Sequence, residues 1–240
     1  ITIDGKVMAV AFMANTQHLY YREDVLKELG IPVPKTYEEV VAESEKIRAS
    51  GKMQHPYAAA YKAGWNLAEE FVNMFIGHGG EFFKAGTAEP NINNAKGVAT
   101  LNMLKKLASL STPDYLTHDS EAIKVEWESG KVALMTLWAS RSGTLLDDEG
   151  DAKITAATKL TGPATVGGGN IPAATLWWDG FTLAKNRSDS DAEATFIALA
   201  HAASNKKMVA DAADQAVWLV EGFVPGPKSI GVIEAVKMGA

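Results

Sequence analysis

The chain has 240 residues, 47% of them hydrophobic and 22% charged, with a formal net charge of -6; this balance suits one large domain or two modest lobes and excludes a disordered or fibrous chain. The basic residues are scattered, with Lys105-Lys106 and Lys206-Lys207 as the adjacent pairs, so no nucleic-acid partner is expected, because that would want a concentrated basic stripe. Cysteine is absent, which excludes disulfides, thiolate catalysis and sulfur-ligated metals, and no apolar run approaches the roughly 18 residues of a membrane-spanning helix.

From the N-terminus, Val7 to Met13 is a short apolar run that reads as a buried strand, and Leu19-Tyr20-Tyr21 reads as a second. Asp24 to Leu29 predicts a short helix stopped by Gly30, and Pro32 and Pro34 keep the next stretch extended. Thr36 and Glu39 have the capping-box spacing, so a helix is expected over 37–50 with Val40, Ser44 and Ile47 on one face. After an extended segment near 57–61, Leu67, Phe71, Met74 and Phe75 mark a core-facing helix ended by Gly77, Gly79 and Gly80.

Asn91 to Asn94 lead into an amphipathic helix whose inward face is read as Val98, Leu101, Leu104 and Leu107. A shorter helix is expected over 120–129, then a strand over 131–138 that is apolar enough to be buried on both faces. Two prolines and Gly167-Gly168-Gly169 make 160–174 an expected irregular, flexible connection. Thr175 to Ala184 is strand-like again, and the Ser/Asp cluster at 188–191 offers caps for a long Ala-rich helix to Ser204, followed by an irregular tail. The alternation of helices and strands predicts an α/β architecture.

Among residues that carry chemistry, Trp65, Trp138, Trp177 and Trp178 stand at element ends or beside glycine. A flat indole flanked by hydrogen-bonding side chains suits the apolar C–H face and hydroxyl rim of a sugar. Lys62 and Asn66 flank Trp65, Ser140 and Arg141 follow Trp138, and Asp179 follows Trp178. Adjacent strand residues face opposite ways, so one of Trp177 and Trp178 can enter a given cleft, and Trp178 is favoured. Each tryptophan also has the plainer reading of a core residue, which Trp127 and Trp218 fit. A helix starting just after Trp65 would offer unpaired N–H donors to a ligand there, or else Asn66 caps it.

Glu69 and Glu70 could serve as the acid and base of glycoside hydrolysis, but helix neighbours diverge by about 100°, and a solvated pair is expected. The acidic run Asp147, Asp148, Glu149 and Asp151 lacks the Ca²⁺-loop pattern. The five histidines show no zinc spacing, and serine-nucleophile and phosphate-loop motifs are absent. No metal or cofactor is expected.

Asp4 to Phe12, Asn15 to Asp24 and Leu29 to Glu39, in that order and spacing, resemble the middle of family 1 extracellular solute-binding proteins of carbohydrate ABC importers, the maltodextrin-binding-protein-like group. Trp127 to Met135 resembles that family's Gly-Lys-x-Ala-Met strand, and Trp177 to Lys185 its return crossover. The resemblance implies an α/β, periplasmic-binding-protein-like (type II) fold of two lobes. Residues 12–174 would form the second lobe, while 1–11 and 175–240 would be crossing strands and part of the first. It implies a sequence truncated at both ends relative to the family, so that this chain alone would bind ligand weakly or not at all. Any secretion signal would have been removed or lie outside a chain that opens at Ile1.

It further implies a sugar or polyol held without chemical change between the lobes and delivered to the permease subunits of an ABC importer. Contact with the membrane would be peripheral, through the permease, and the location periplasmic, or extracellular and lipid-anchored in a Gram-positive source. By position, Asn15 and Gln17 fall just past the first crossing and Lys62, Trp65 and Asn66 in a ligand-facing loop. Trp138 falls where relatives place a sugar-stacking aromatic, and Trp178 and Asp179 fall at the second crossing. Arg141 suits a polyol or an acidic sugar, or pairs with Asp179. Trp138→Ala is expected to weaken sugar affinity by about 1–3 kcal/mol with little loss of fold. The alternatives are a carbohydrate-active enzyme and a cytosolic ligand-sensing domain on a related fold.

Overall fold

The computed structural model describes residues 2–145 and 150–202; Trp218, Asp147 to Glu149 and the expected irregular tail lie outside them. In chain order the strands are β1 (Thr2–Ile3), β2 (Lys6–Val7), β3 (Val10–Asn15), β4 (Gln17–Arg22), β5 (Tyr57–Ala59), β6 (Leu134–Trp138), β7 (Thr158–Thr161) and β8 (Trp177–Phe181). The helices are α1 (Glu23–Leu29), α2 (Tyr37–Ala49), α3 (Trp65–Gly77), α4 (Ala95–Ala108), α5 (Ser120–Glu128), α6 (Ser142–Leu145), α7 (Ala152–Ala157) and α8 (Asp189–Ala202). The architecture is α/β. Its contacts group residues 17–137 and 150–175 into one unit and 2–16, 138–145 and 176–202 into another. Where the sequence suggested a block over 12–174, residues 138–145 therefore group with the terminal segments.

In the larger unit a four-stranded sheet runs in the order β5-β6-β4-β7, with β5 parallel to β6 and β4 antiparallel to β7. Every residue of β6 is buried, as its unbroken apolar run requires of a strand covered on both faces. The capping box of α2 is formed: Thr36 Oγ1 accepts from the Glu39 amide at 3.1 Å and Glu39 Oε2 accepts from the Thr36 amide at 3.1 Å. Val40, Ser44 and Ile47 are buried on that helix as predicted. Val40 and Ile47 join Leu19, Leu26, Tyr57, Met74, Leu107 and Leu134 in one core. Trp127 is the large core residue it promised to be, fully buried, donating its indole N–H to Thr158 Oγ1 at 2.9 Å and packed edge-on to Tyr20.

Three local expectations need correction. The inward face of α4 is Gly97, Thr100, Met103, Leu104 and Leu107, and Val98 and Leu101 are exposed. Asn94 starts the helix by accepting from the Lys96 and Gly97 amides, so the cap fixes the phase of the helix and turns Leu101 outward into a shallow groove shared with Leu67, Phe71 and Leu116. The supposed loop at 160–174 begins instead with β7, whose Thr158 and Leu160 are buried; one aliphatic residue in four gave too weak a periodic signal. Its glycine triplet is an exposed turn that is pinned at Gly167. The Gly167 amide donates to Glu38 Oε1 at 2.9 Å, and a Cβ at Gly167, where φ is +67°, would sit 2.6 Å from His78 Nδ1.

In the smaller unit Asp4 and Gly5, both at positive φ, make the two-residue turn between β1 and β2, the geometry that Asp-Gly favours. Pairing of the next strand starts at Val10 rather than Val7, and Val7 and Met8 are exposed. β3 pairs antiparallel with β8, with a register shift between Ala11 and Met13. Ser188 starts α8 by accepting the Asp191 amide on its hydroxyl and the Ala192 amide on its carbonyl.

Thr36→Ala removes one half of the reciprocal cap and should lower unfolding free energy by about 1 kcal/mol. Urea denaturation checks this; an unchanged midpoint would show that the cap contributes nothing.

Candidate functional site

The tryptophan-bearing segment of the smaller unit is fixed by backbone and by Asn15. The β3–β8 register sets Asn15 opposite Trp177 and Ala14 opposite Trp178. Asn15 Nδ2 donates to Ser140 Oγ at 2.9 Å while its Oδ1 accepts from the Ser140 amide at 3.3 Å, and the Ala139 amide donates to the Thr16 carbonyl. The turn after β6 is thereby tied to the end of β3, and Trp138 and Trp177 meet edge-on, with ring centroids 6.1 Å apart and planes at 71°. Such T-shaped pairs are a favoured aromatic geometry.

Trp177, 37% exposed, thus stands against Trp138, which is 8% exposed. Strand alternation turns Trp178 to the other side of β8, so the ring brought to Trp138 is not the one that the sequence favoured. Asp179, two residues on, shares the Trp177 face, and both its carboxylate oxygens accept from the Trp177 indole N–H at 3.3 Å. Asn15 and Asp179 therefore hold the aromatic pair in place. Arg141 closes the single 3₁₀ turn over Ala139–Arg141, and its carbonyl accepts from Thr144.

In the larger unit Trp65 is the first residue of α3 and is 53% exposed. The helix begins at Trp65 rather than after it. Its N-cap is Gly64 at φ 111°, without a side-chain cap, so Asn66 does not cap the helix. Lys62 forms an ion pair with Asp119 at 2.9 Å. That hydrogen bond, with the Ala122 amide at the N-terminus of α5, holds the Asp119 carboxyl below the usual carboxylate range.

Gln17 is only 3% exposed, and its Nε2 donates to Glu70 Oε1 at 2.7 Å. Its polar group faces the interior of the larger unit. Glu70 is likewise 3% exposed, which corrects the expected solvated pair: positions 70, 73, 74 and 77 are the buried face of α3. Desolvation by burial pushes its carboxyl up from 4.5 to about 8, against the hydrogen bond from Gln17, and the neighbouring charge of Glu69 adds to the rise. Glu69 is half-buried and accepts from the Thr175 hydroxyl at 2.5 Å. A glycoside-hydrolysing pair needs both carboxyls to face one bond, and these two point to different partners. Sequence reasoning missed the Glu70 cluster because the helical phase that buries it is set by its apolar neighbours Met74 and Phe75. No group of metal-ligating side chains is formed among the described residues.

A family model for bacterial extracellular solute-binding proteins matches residues 2–216. The chain belongs to this family. A probable ABC transporter-binding protein of Deinococcus radiodurans is 29% identical over 193 residues, covering 77% of this chain and 44% of the relative. The maltose-bound MalE3 structure from T. maritima superposes with a TM-score of 0.81 at 21% identity, over 99% of this chain and 59% of that one. A ribitol complex of a solute-binding protein from Agrobacterium radiobacter K84 gives 0.74 at 23% identity, over 86% and 51%. These likenesses fix the fold as that of type II periplasmic binding proteins. The chain spans less than half the length of the curated relatives it matches.

The folded protein holds a proton on Glu70 that the unfolded chain releases above its ordinary value. That contribution to stability is fully present below about pH 4.5 and is lost as the pH rises toward 8. The urea midpoint should therefore fall between these limits, and less steeply in Glu70→Gln. Equal slopes in the two proteins would contradict the burial of an ionisable group at this position.

Proposed function

We propose that the protein binds a sugar or polyol without changing it and delivers it to the permease of an ABC importer, outside the cytoplasmic membrane. The observation that carries this reading is the Trp138–Trp177 pair, in which one ring is partly open and is held by Asp179, beside Asn15 and Ser140. An indole face takes up the C–H face of a carbohydrate, and flanking polar groups take up hydroxyls. Trp65, exposed at the uncapped start of α3 in the other unit, is a second platform of the same kind. The maltose and ribitol named for two structures of the same fold support this ligand class, and the transporter-binding relative supports a transporter partner.

In this reading Trp177 replaces Trp178 as the contacting ring at the second crossing. Asn15 and Asp179 act mainly by holding Trp138 and Trp177, while Arg141, Lys62 and Asn66 supply polar contacts. Gln17 acts from behind, through Glu70. Family membership and the diverging Glu69 and Glu70 both support binding over hydrolysis.

Trp138 is too buried for a clean test, since Trp→Ala in packed surroundings costs about 3–5 kcal/mol of stability; the expected small loss of fold does not hold for it. Trp177→Ala is the better variant. Calorimetry of the complete protein carrying this chain, with maltose and ribitol as probes, should show binding of at least one. Trp177→Ala should weaken it by about 1–3 kcal/mol. Unchanged affinity in the variant would remove Trp177 from the site, and turnover of either probe would refute a binding protein.

A further inference from the structure

Among the passages of the chain from one unit to the other, one follows Thr16 and another follows Thr175. Both passages are held, within the larger unit, by one stretch of α3. Glu70 Oε1 takes the Gln17 side chain at 2.7 Å, on the first residue after the first passage. Glu69 takes the Thr175 hydroxyl at 2.5 Å, and Asn73 Oδ1 takes the Thr175 backbone amide at 2.7 Å, on the last residue before the other. Asn73 lies one turn beyond both glutamates, at i+4 from Glu69 and i+3 from Glu70, so the three side chains form a continuous ridge. Segments 17 and 175 are far apart in sequence and share this single anchor.

The anchor is built around a buried acid. Burial raises the hydroxyls of Tyr37 from α2, Tyr57 from β5 and Tyr61 beyond it, and the nearby charge of Glu70 adds to the rise in each. Tyr37 and Tyr57 are already engaged with Thr136 Oγ1 at 3.3 and 2.9 Å. No lysine, arginine or histidine is among the groups that act on Glu70; its influences are Gln17, Glu69 and burial. Gln17 Oε1 and Asn73 Nδ2 are buried without a protein partner, so the cluster has unused hydrogen-bonding capacity but no compensating cation. A charge formed there is relieved by admitting water and loosening α3 from its partners, because an unpaired buried charge is far more costly than a local opening.

We propose that the Glu69–Glu70–Asn73 ridge is a proton-sensitive anchor of the two passages: with Glu70 neutral it holds Gln17 and Thr175 on α3, and on ionisation it releases them together. Glu70 is then a positioning residue for both passages, without touching any ligand.

The test needs no ligand, so it stands or falls separately from the sugar-binding reading. In ¹⁵N-labelled protein, the Gln17 side-chain amide and the Thr175 backbone amide are followed by NMR from about pH 6 to about pH 9, with exchange rates corrected for intrinsic pH dependence. The two signals are expected to titrate with a common midpoint, and Thr175 protection to drop by about tenfold while amides around Leu107 in α4 keep theirs. Glu70→Gln, a neutral near-isostere, should hold Thr175 protected throughout. A titrating Gln17 beside a constant Thr175 would overturn the shared anchor. An equal drop at Leu107, or an unchanged profile in Glu70→Gln, would overturn the proton linkage. The wild-type titration alone decides the first point should the variant fold poorly.

Discussion

A carboxyl group taken out of water must be paired, hydrogen-bonded or neutral, and Glu70 is the place where this constraint shapes the protein. It lies on the buried face of α3, takes its hydrogen bond from Gln17 at the start of β4, and is ringed by Tyr37, Tyr57 and Tyr61. Gln17, the first residue of β4, thus bonds Glu70 directly, while Tyr37 and Tyr57 near it are bonded to Thr136 of the central strand β6. An apolar residue at position 70 would satisfy the packing of α3, but it would leave the Gln17 amide without its acceptor. The polar cluster ties α3 to the sheet, and α3 in turn sets where Trp65 emerges from the surface.

The tryptophans of the smaller unit obey a related logic. Trp138 and Trp177 come together because Asn15 bonds the turn after β6 and because the β3–β8 register faces Asn15 with Trp177. The indole N–H of Trp177 finds Asp179, so the polar edge of this 37% exposed ring is satisfied. An aromatic platform with fixed orientation loses little conformational entropy when it takes up a ligand, which is what a binding protein requires of its contact residues. The same side chains in an enzyme would need reacting carboxyls aimed at a common point, and Glu69 and Glu70 are instead spent on holding the chain.

Much of this was legible in the sequence wherever local chemistry decides. The Thr36/Glu39 cap, the stop at Gly30, the Ser188 start of α8 and the buried run of β6 all follow from nearest neighbours. Trp127 in the core was readable as well. What escaped depends on helical phase or on strand register. Leu101 looks inward by spacing until the Asn94 cap fixes α4, Glu70 looks solvated until α3 turns it under the sheet, and the Trp138–Trp177 contact arises only once β8 has paired with β3. The Gln17–Glu70 bond was not readable because the acceptor lies 53 residues away in sequence.

The most direct test of the central claim is a crystal structure of the complete protein with maltose or ribitol bound. The account predicts the C–H face of the ligand in van der Waals contact with the ring of Trp177, Asp179 still on the indole N–H, and Glu70 and Gln17 still paired out of reach of the ligand. A ligand bound away from Trp177, or hydrogen-bonded directly to Gln17, would contradict it.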